Sequence, residues 1–462
     1  MPSFDLLVIG AGPAGMAAAT EAATAGLEVL VLDENAAPGG QIYRNVEAVA
    51  SDGGAVWDLL GDSYKHGMGL AASFRDSGID YRTDAMVWQV DASGTVAFTA
   101  NGVVETVTAK RIIAATGAME RAVPIPGWTL PGVMGAGAAQ TLLKSAAILP
   151  EGRIVLAGSG PLLLLVAHQL AEAGANVAAV LETTATSNYF AAAPYLPRAI
   201  KSLSELRRGL EMRRALRRHG IKIVSGIEGL KAEGDQKVST VTYEVGGQCE
   251  TLEIDILLLH EGVVPNVQIT RHIRCDHEWY EPQRYWRPVL DAWGATSVDC
   301  LAVAGDGAGI YGAKSAEAAG HLTGLDCAFR LGVLSENERN AKAKKWRIEK
   351  RKSDSLRPML DRLFSPPGWV LVPADDETVV CRCEEVTAGE IRQCVTLGAM
   401  GPNQMKAFAR CGMGPCQGRI CGLSVVETIA AARGQSPEET GYYRIRPPIK
   451  PVTLGELAAL EN

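Results

Sequence analysis

Cysteines are the densest reactive groups in this 462-residue chain: six of the ten fall between Cys381 and Cys421. The order is Cys381-Arg382-Cys383, then 27 residues, then Cys411-Gly412-Met413-Gly414-Pro415-Cys416. Thiolates are soft metal ligands, and two closely spaced pairs can close one site. Zinc favours Cys-x2-Cys pairs, so Cys-x-Cys with Cys-x4-Cys fits it less well. The same four residues, Cys381, Cys383, Cys411 and Cys416, equally suit a 2Fe-2S cluster. The glycine-rich loop after Cys411 offers N–H groups to a negatively charged centre, and a helix expected from Gln417 onward adds its N-terminal dipole. Cys394 and Cys421 fall inside helical patterns over residues 388–397 and 419–432 and are read as core.

A second chemistry lies near the N-terminus. Gly10-Ala11-Gly12-Pro13-Ala14-Gly15 follows an apolar run and opens an Ala-rich segment, and Asp33 stands 18 residues beyond Gly15 with Glu34 beside it. Gly10 permits a tight turn, Gly12 lets backbone approach a diphosphate, and Gly15 lets the helix pack against the strand. The helix N-terminus then faces the phosphates. Asp33 can accept hydrogen bonds from both ribose hydroxyls and would repel a 2′-phosphate. Gly10, Gly12, Pro13, Ala14, Gly15, Asp33 and Glu34 therefore predict an ADP-type dinucleotide site. A second hexad, Gly158-Ser159-Gly160-Pro161-Leu162-Leu163, has Leu163 where a third glycine or alanine belongs, with Glu182 where a ribose ligand would stand. A leucine there pushes helix from strand and phosphate, so this copy reads as a retained scaffold or partner-docking domain.

These motifs need elements to hold them. Residues 4–9, 13–26 and 27–32 read as strand, helix and strand, the opening of a parallel α/β sheet. Residues 75–110 alternate polar and apolar and suit an inserted β-meander; 111–115 read as a further buried strand. The unit recurs over 153–174 and 176–181. The expected architecture is an α/β protein in which a dinucleotide domain (1–120 and 290–330) is interrupted by a second, degenerate NAD-type nucleotide-binding domain (121–289). A basic helical linker (331–375), a cysteine domain (376–440) and a tail (441–462) follow, the boundary marked by Pro366-Pro367-Gly368.

A net charge of -7 argues against a general nucleic-acid surface. No cationic region precedes the first apolar run, so no signal peptide is expected. The apolar stretch 161–181 carries His168 and Glu172 and is no uninterrupted membrane span. The expected compartment is the reducing cytoplasm, where clustered cysteines serve as ligands more often than as disulfides. Arg198, Lys201, Arg207, Arg208, Arg213, Arg214, Arg217 and Arg218 recur at helical spacing and read as a solvated face, with docking to an acidic partner as the alternative.

Three motifs together, the N-terminal hexad, Ala114-Ala115-Thr116-Gly117 and Ala304-Gly305-Asp306-Gly307, resemble the two-dinucleotide-domain flavoproteins that include glutathione and thioredoxin reductases. The resemblance covers residues 4–325 and implies a glutathione-reductase-like Rossmann-type fold with bound FAD. It implies that Asp306 after Gly305 bonds the ribityl chain, that Thr116 and Gly117 end a strand of the same sheet, and that Gly39-Gly40-Gln41 lies near the flavin. Dithiol chemistry at that flavin is excluded, because no cysteine precedes Cys249.

The cysteine block is similar to the bacterioferritin-associated-ferredoxin (BFD)-type 2Fe-2S domain, with Cys-x4-Cys replacing a shorter second spacing. The run from Arg410 to Arg419 resembles the α (A) subunits of multisubunit amine and imino-acid dehydrogenases: opine oxidases, hydrogen cyanide synthase, and dye-linked proline and D-hydroxyproline dehydrogenases. The resemblance implies a four-cysteine 2Fe-2S cluster and a hetero-oligomer in which a separate D-amino-acid-oxidase-type FAD subunit oxidises the C–N bond. Electrons would then pass through this chain to a respiratory acceptor such as quinone. Some members of that group hold FMN at the subunit interface and an adenine nucleotide, in place of FAD, in the glycine-rich site. Location in the cytoplasm, or peripherally at the inner face of the cell membrane, is implied. No catalytic acid or base is assigned, and His260 and Glu261 read as structural. A self-contained NAD(P)H-dependent FAD/2Fe-2S reductase and a non-redox scaffold binding an adenine nucleotide are the rival readings.

Overall fold

A computed structural model describes residues 1–199 and 203–460; Lys201 of the basic stretch lies outside them. Strand β1 (Ser3–Ile9) leads into helix α1 (Pro13–Thr24) and then β2 (Val29–Leu32). Pro13 suits the first turn, where an N–H has no intrahelical partner. β3 (Asp80–Arg82) pairs parallel with β2 and so joins the main sheet instead of the meander. The meander is β4 (Ala85–Val90), β5 (Thr95–Ala100) and β6 (Val103–Ala114).

β6 corrects the expectation of two strands. Its first half pairs antiparallel with β5 and its second half parallel with β1 and with the strand Leu301–Val303. No turn residue interrupts the run, and Lys110 sits exposed near the switch. The sheet order is β3-β2-β1-β6-β5-β4.

The helix Ala313–Arg330 crosses α1 through small residues. A Cβ added at Gly320 would stand 2.1 Å from the Ala14 carbonyl oxygen, and one at Gly324 would stand 2.5 Å from that of Ala18. This close crossing holds the N-terminus of α1 against the loop at Gly305.

The second domain repeats the plan. Its parallel sheet runs Lys222–Ser225, Val177–Glu182, Ile154–Ser159, Ile256–Glu261, Val133–Gly135, with a separate antiparallel sheet of Gly229–Glu233, Thr240–Val245 and Gln248–Glu253. The two-copy reading of the sequence therefore has its structural counterpart.

Residues 331–375 are not a free linker. The helix Glu336–Ser353 packs on Ala313–Arg330: Arg339 pairs with Asp326 at 2.8 Å, both buried, and Trp346 stacks on His321 with ring centroids 3.6 Å apart. Nor is 441–462 merely a tail. Tyr443, Ile445 and Ile449 are buried in one apolar core with Phe98 and Val107 of the main sheet and with Cys381, Cys411 and Cys421. The Ile449 N–H bonds the Trp88 carbonyl at 2.9 Å.

The α1 crossing yields a direct test. Gly320→Ala must force two backbones apart and is expected to destabilise by about 1–3 kcal/mol, the usual cost of overpacking. Gly69→Ala, in a helix with nothing near its Cβ position, should be neutral or stabilising by up to ~1 kcal/mol. Thermal denaturation of the two variants side by side reads the difference; equal melting temperatures would contradict the crossing.

Candidate functional site

The N-terminal hexad is built by close backbone approach. Gly10 has φ +101°, and a Cβ there would meet the Ala115 carbonyl oxygen at 2.7 Å; one at Gly15 would meet the Gly10 carbonyl oxygen at 1.8 Å. Gly12 and Gly40 face each other, since a Cβ on Gly40 would lie 2.9 Å from the Gly12 Cα. Gly305 packs on Ala14 in the same way, at 2.7 Å. The motifs at Gly10, Gly40 and Gly305, far apart in sequence, thus meet around the start of α1. Thr116 and Gly117 lie beside them: a Cβ on Gly307 would stand 3.6 Å from the Gly117 carbonyl oxygen.

Asp33 is buried, and its carboxylate accepts from the Ala11 N–H at 2.6 Å and from the backbone and side-chain N–H groups of Asn35 at 2.8 and 2.7 Å. Burial raises its pKa and these donors oppose the rise. Asp33 therefore braces the glycine loop. Glu34 is exposed instead and pairs with Lys450 at 2.6 Å. Asp306 accepts from the N–H groups of Tyr311 and Gly312, at 2.9 and 3.1 Å, which fixes the loop before Ala313–Arg330. Gln41 is exposed, and its backbone carbonyl takes a hydrogen bond from Lys144 Nζ at 3.2 Å; the same amine reaches the Ile42 backbone carbonyl at 3.0 Å. Burial pulls Lys144 down to about 8. This lysine, on the helix Ala136–Ala146 of the second domain, ties the two domains together at the loop.

The second hexad is filled by its own chain. Leu163 is buried in an apolar core with Leu156 and Val180. Glu182 is engaged by Arg213 and by Ser225, both at 2.5 Å, and Glu261 accepts from Ser159 at 3.0 Å. Glu120 occupies the N-terminus of Ala136–Ala146, accepting from the Gly137 N–H at 3.1 Å, and contacts His260 at 2.6 Å. The carboxylates of Glu182 and Glu261 at the hexad are thus already engaged, and Glu120 caps the neighbouring helix.

The cysteines converge, with one addition to those expected. The sulfurs of Cys381, Cys411 and Cys421 lie within 4.8 Å of one another. Cys383 neighbours Cys416, which neighbours Cys421 in turn. Cys421, expected as core, is buried in the core and also stands among the clustered sulfurs, whereas Cys394 is buried among Ile391 and Val425. The reason is where the following helix starts: it runs Gly422–Arg433, because Gln417 and Gly418 take positive φ and turn the chain first. Cys421 stands at its N-cap, and the second x4 spacing, Cys416 to Cys421, was the available signal.

Neighbouring thiol donors, Cys411 foremost, and the N–H groups of Gly412 and Glu384 lower the pKa of Cys381. Cys416 falls to about 5, chiefly through Cys421. The shared protons hold Cys411 and Cys421 high. Glycines admit the covering rings: a Cβ at Gly412 or Gly418 would strike Tyr443, and one at Gly422 would strike the Tyr442 hydroxyl. Five soft donors, three buried and two half-buried, with N–H groups aimed at sulfur fit a thiolate-ligated metal centre.

Residues 4–321 match the pyridine nucleotide-disulphide oxidoreductase family, and residues 376–461 match the sarcosine oxidase A3 domain. Fold and glycine site thus define an oxidoreductase of the two-dinucleotide class, with its FAD-binding fold. The chain is 42% identical to an opine oxidase subunit of Agrobacterium tumefaciens (strain Ach5), over 99% of this chain and 92% of that protein. It is 32% identical to hydrogen cyanide synthase subunit HcnB of Pseudomonas protegens, over 97% and 96%. The structure of L-proline dehydrogenase from P. horikoshii shares the fold, with a TM-score of 0.71 at 20% identity over 100% of this chain and 80% of that one. The chain belongs to the family of FAD-dependent oxidoreductase subunits that includes HcnB and these opine oxidase chains. Among the described residues, no helix is long and apolar enough to cross a membrane.

The filled second hexad predicts that equilibrium dialysis of the purified chain against NADH or NADPH retains no added nucleotide. Binding tighter than about 0.1 mM would contradict it.

Proposed function

We propose that this chain is the electron-transferring subunit of a heteromeric dehydrogenase acting on the C–N bond of an opine or a related amino or imino acid. The observation that carries this reading is the convergence of five cysteines: Cys381, Cys411 and Cys421 are buried in one core with the sheet of the dinucleotide domain, and half-buried Cys383 and Cys416 stand beside them. In this reading a partner subunit of the D-amino-acid-oxidase type, with its own FAD, oxidises the substrate. Electrons leave to a respiratory acceptor such as quinone, at the inner face of the cell membrane or in the cytoplasm. Relatives named as subunits of opine oxidase and hydrogen cyanide synthase support it.

A flavin exchanges two electrons and a 2Fe-2S cluster one, so the pair converts a two-electron oxidation into single-electron steps. This chain's residues hold both. The N–H groups of Gly12, Ala14 and Gly15 bind the diphosphate of FAD, or of another adenine nucleotide, while Asp33 keeps that loop in place. Thr116, Gly117, Gly305 and Asp306 line the same mouth. Gly40 and Gln41 close the loop above it, a position suited to FMN shared with a partner in those complexes that use it.

Four of the five sulfurs hold the cluster. Cys381, Cys421, Cys416 and Cys383 neighbour one another in a closed circuit, and the Cys411 sulfur lies within 4.8 Å of those of Cys381 and Cys421. We assign the ligands to that circuit, with Cys411 as the fifth, flanking thiol. Tyr442 and Tyr443 exclude water from it.

Purified with its partner, the wild-type chain should contain two iron atoms and two acid-labile sulfides per copy. Cys421→Ser and Cys381→Ser should lose nearly all of the iron, and Cys394→Ser none. Cys411→Ser should retain most of it, which separates this ligand set from one that includes Cys411. An iron-free wild type, or zinc in its place, overturns the proposal.

A further inference from the structure

Arg271 is a half-buried cation with one edge of its guanidinium fully buried. It lies on the short helix Gln268–His272, and its guanidinium stacks between two rings, 4.6 Å from the centroid of Trp286 and 5.3 Å from that of Tyr442. Its Nε and Nη2 are buried and take no hydrogen-bond partner, and no carboxylate pairs with it among the described residues. Burial pulls it down only to about 10, so it stays charged at neutral pH. The near groups do not neutralise it. Gln268 is uncharged with its Oε1 unpartnered, and His277 is driven down to about 3 by burial and by Arg271 itself.

A charge removed from water costs free energy unless an opposite charge answers it. Two aromatic faces offset part of that cost. The rest finds an answer across one ring. The Tyr442 ring contacts Arg271, and its hydroxyl lies against Gly422, next to Cys421. The small cavity between the domains is lined by Gln268, Trp286, Leu423, Tyr442 and a second cation, Arg419.

We propose that Arg271 sets the reduction potential of the cysteine-held cluster, raising it by stabilising the reduced form from across Tyr442. The inference rests on the cluster reading above. Two ferric ions, two sulfides and four thiolates carry a net charge of 2−. One electron, supplied by a reduced flavin, makes it 3−, with no bond formed or broken and no proton taken up. A fixed cation favours the more negative state, the more so in a dry interior of low effective dielectric.

The test is a mediated potentiometric titration of the intact complex, followed by electron paramagnetic resonance, with iron measured in the same samples. Arg271→Gln should shift the one-electron equilibrium about tenfold or more toward the oxidised form, a fall of at least ~59 mV, with iron content and line shape unchanged. Arg271→Lys keeps the charge and should stay near wild type. Gln268→Glu places a carboxylate three residues from Arg271 with little change of shape and should lower the potential in the same direction; this variant serves where Arg271→Gln folds poorly. Wild-type potentials in both Arg271→Gln and Gln268→Glu, with full iron, overturn the inference and leave the cluster reading standing. A wild-type complex without iron overturns both.

Discussion

Everything near the cysteine site follows from the cost of gathering negative sulfur inside a protein. Buried thiolates repel one another and lose their solvation, so they persist only where N–H dipoles, cations or metal answer them. The chain meets that requirement from several directions. Gly412 and Glu384 turn N–H groups toward Cys381. The helix Gly422–Arg433 begins at Cys421 and presents its positive end there. That helix is held in turn by Arg284, bonded through two nitrogens to the buried Glu427, and Trp128 of the second domain bonds the Val379 carbonyl two residues before Cys381. Both nucleotide-type domains and the C-terminal segment are therefore needed to shape one small pocket.

The same economy explains the unequal fate of two similar halves. In the first, glycines at 10, 12, 15, 40 and 305 keep side chains out of the phosphate approach, and the acidic residue is turned inward to brace the loop. In the second, Leu163 is buried at the third position, and Glu182 and Glu261 are engaged by Arg213 and Ser159. The second half keeps its sheet and contributes Lys144 and Trp128 to its neighbours.

Much of this was legible in the sequence. The hexad with its flanking strands, the duplication, the Gly-Asp turn and the cysteine concentration all rest on local spacing, which strand and helix geometry converts directly into position. Other features depend on contacts between distant segments. The inward turn of Asp33 depends on Ala11 and Asn35 facing it together. Cys421 depended on two residues, Gln417 and Gly418, adopting left-handed backbone and delaying a helix that periodicity alone would start earlier. The burial of Tyr443 and Ile449 could not be read from a polar, proline-bearing C-terminal stretch, because the surface they cover belongs to β-strands hundreds of residues away.

Rapid-freeze electron paramagnetic resonance of the intact complex, mixed anaerobically with an opine that it turns over, tests most directly whether electrons from a C–N oxidation cross this chain through the cysteine-held cluster. A reduced 2Fe-2S signal that rises at least as fast as steady-state turnover is the expected result. A cluster that stays oxidised while substrate is consumed, or that is reduced more slowly than the complex turns over, would contradict it.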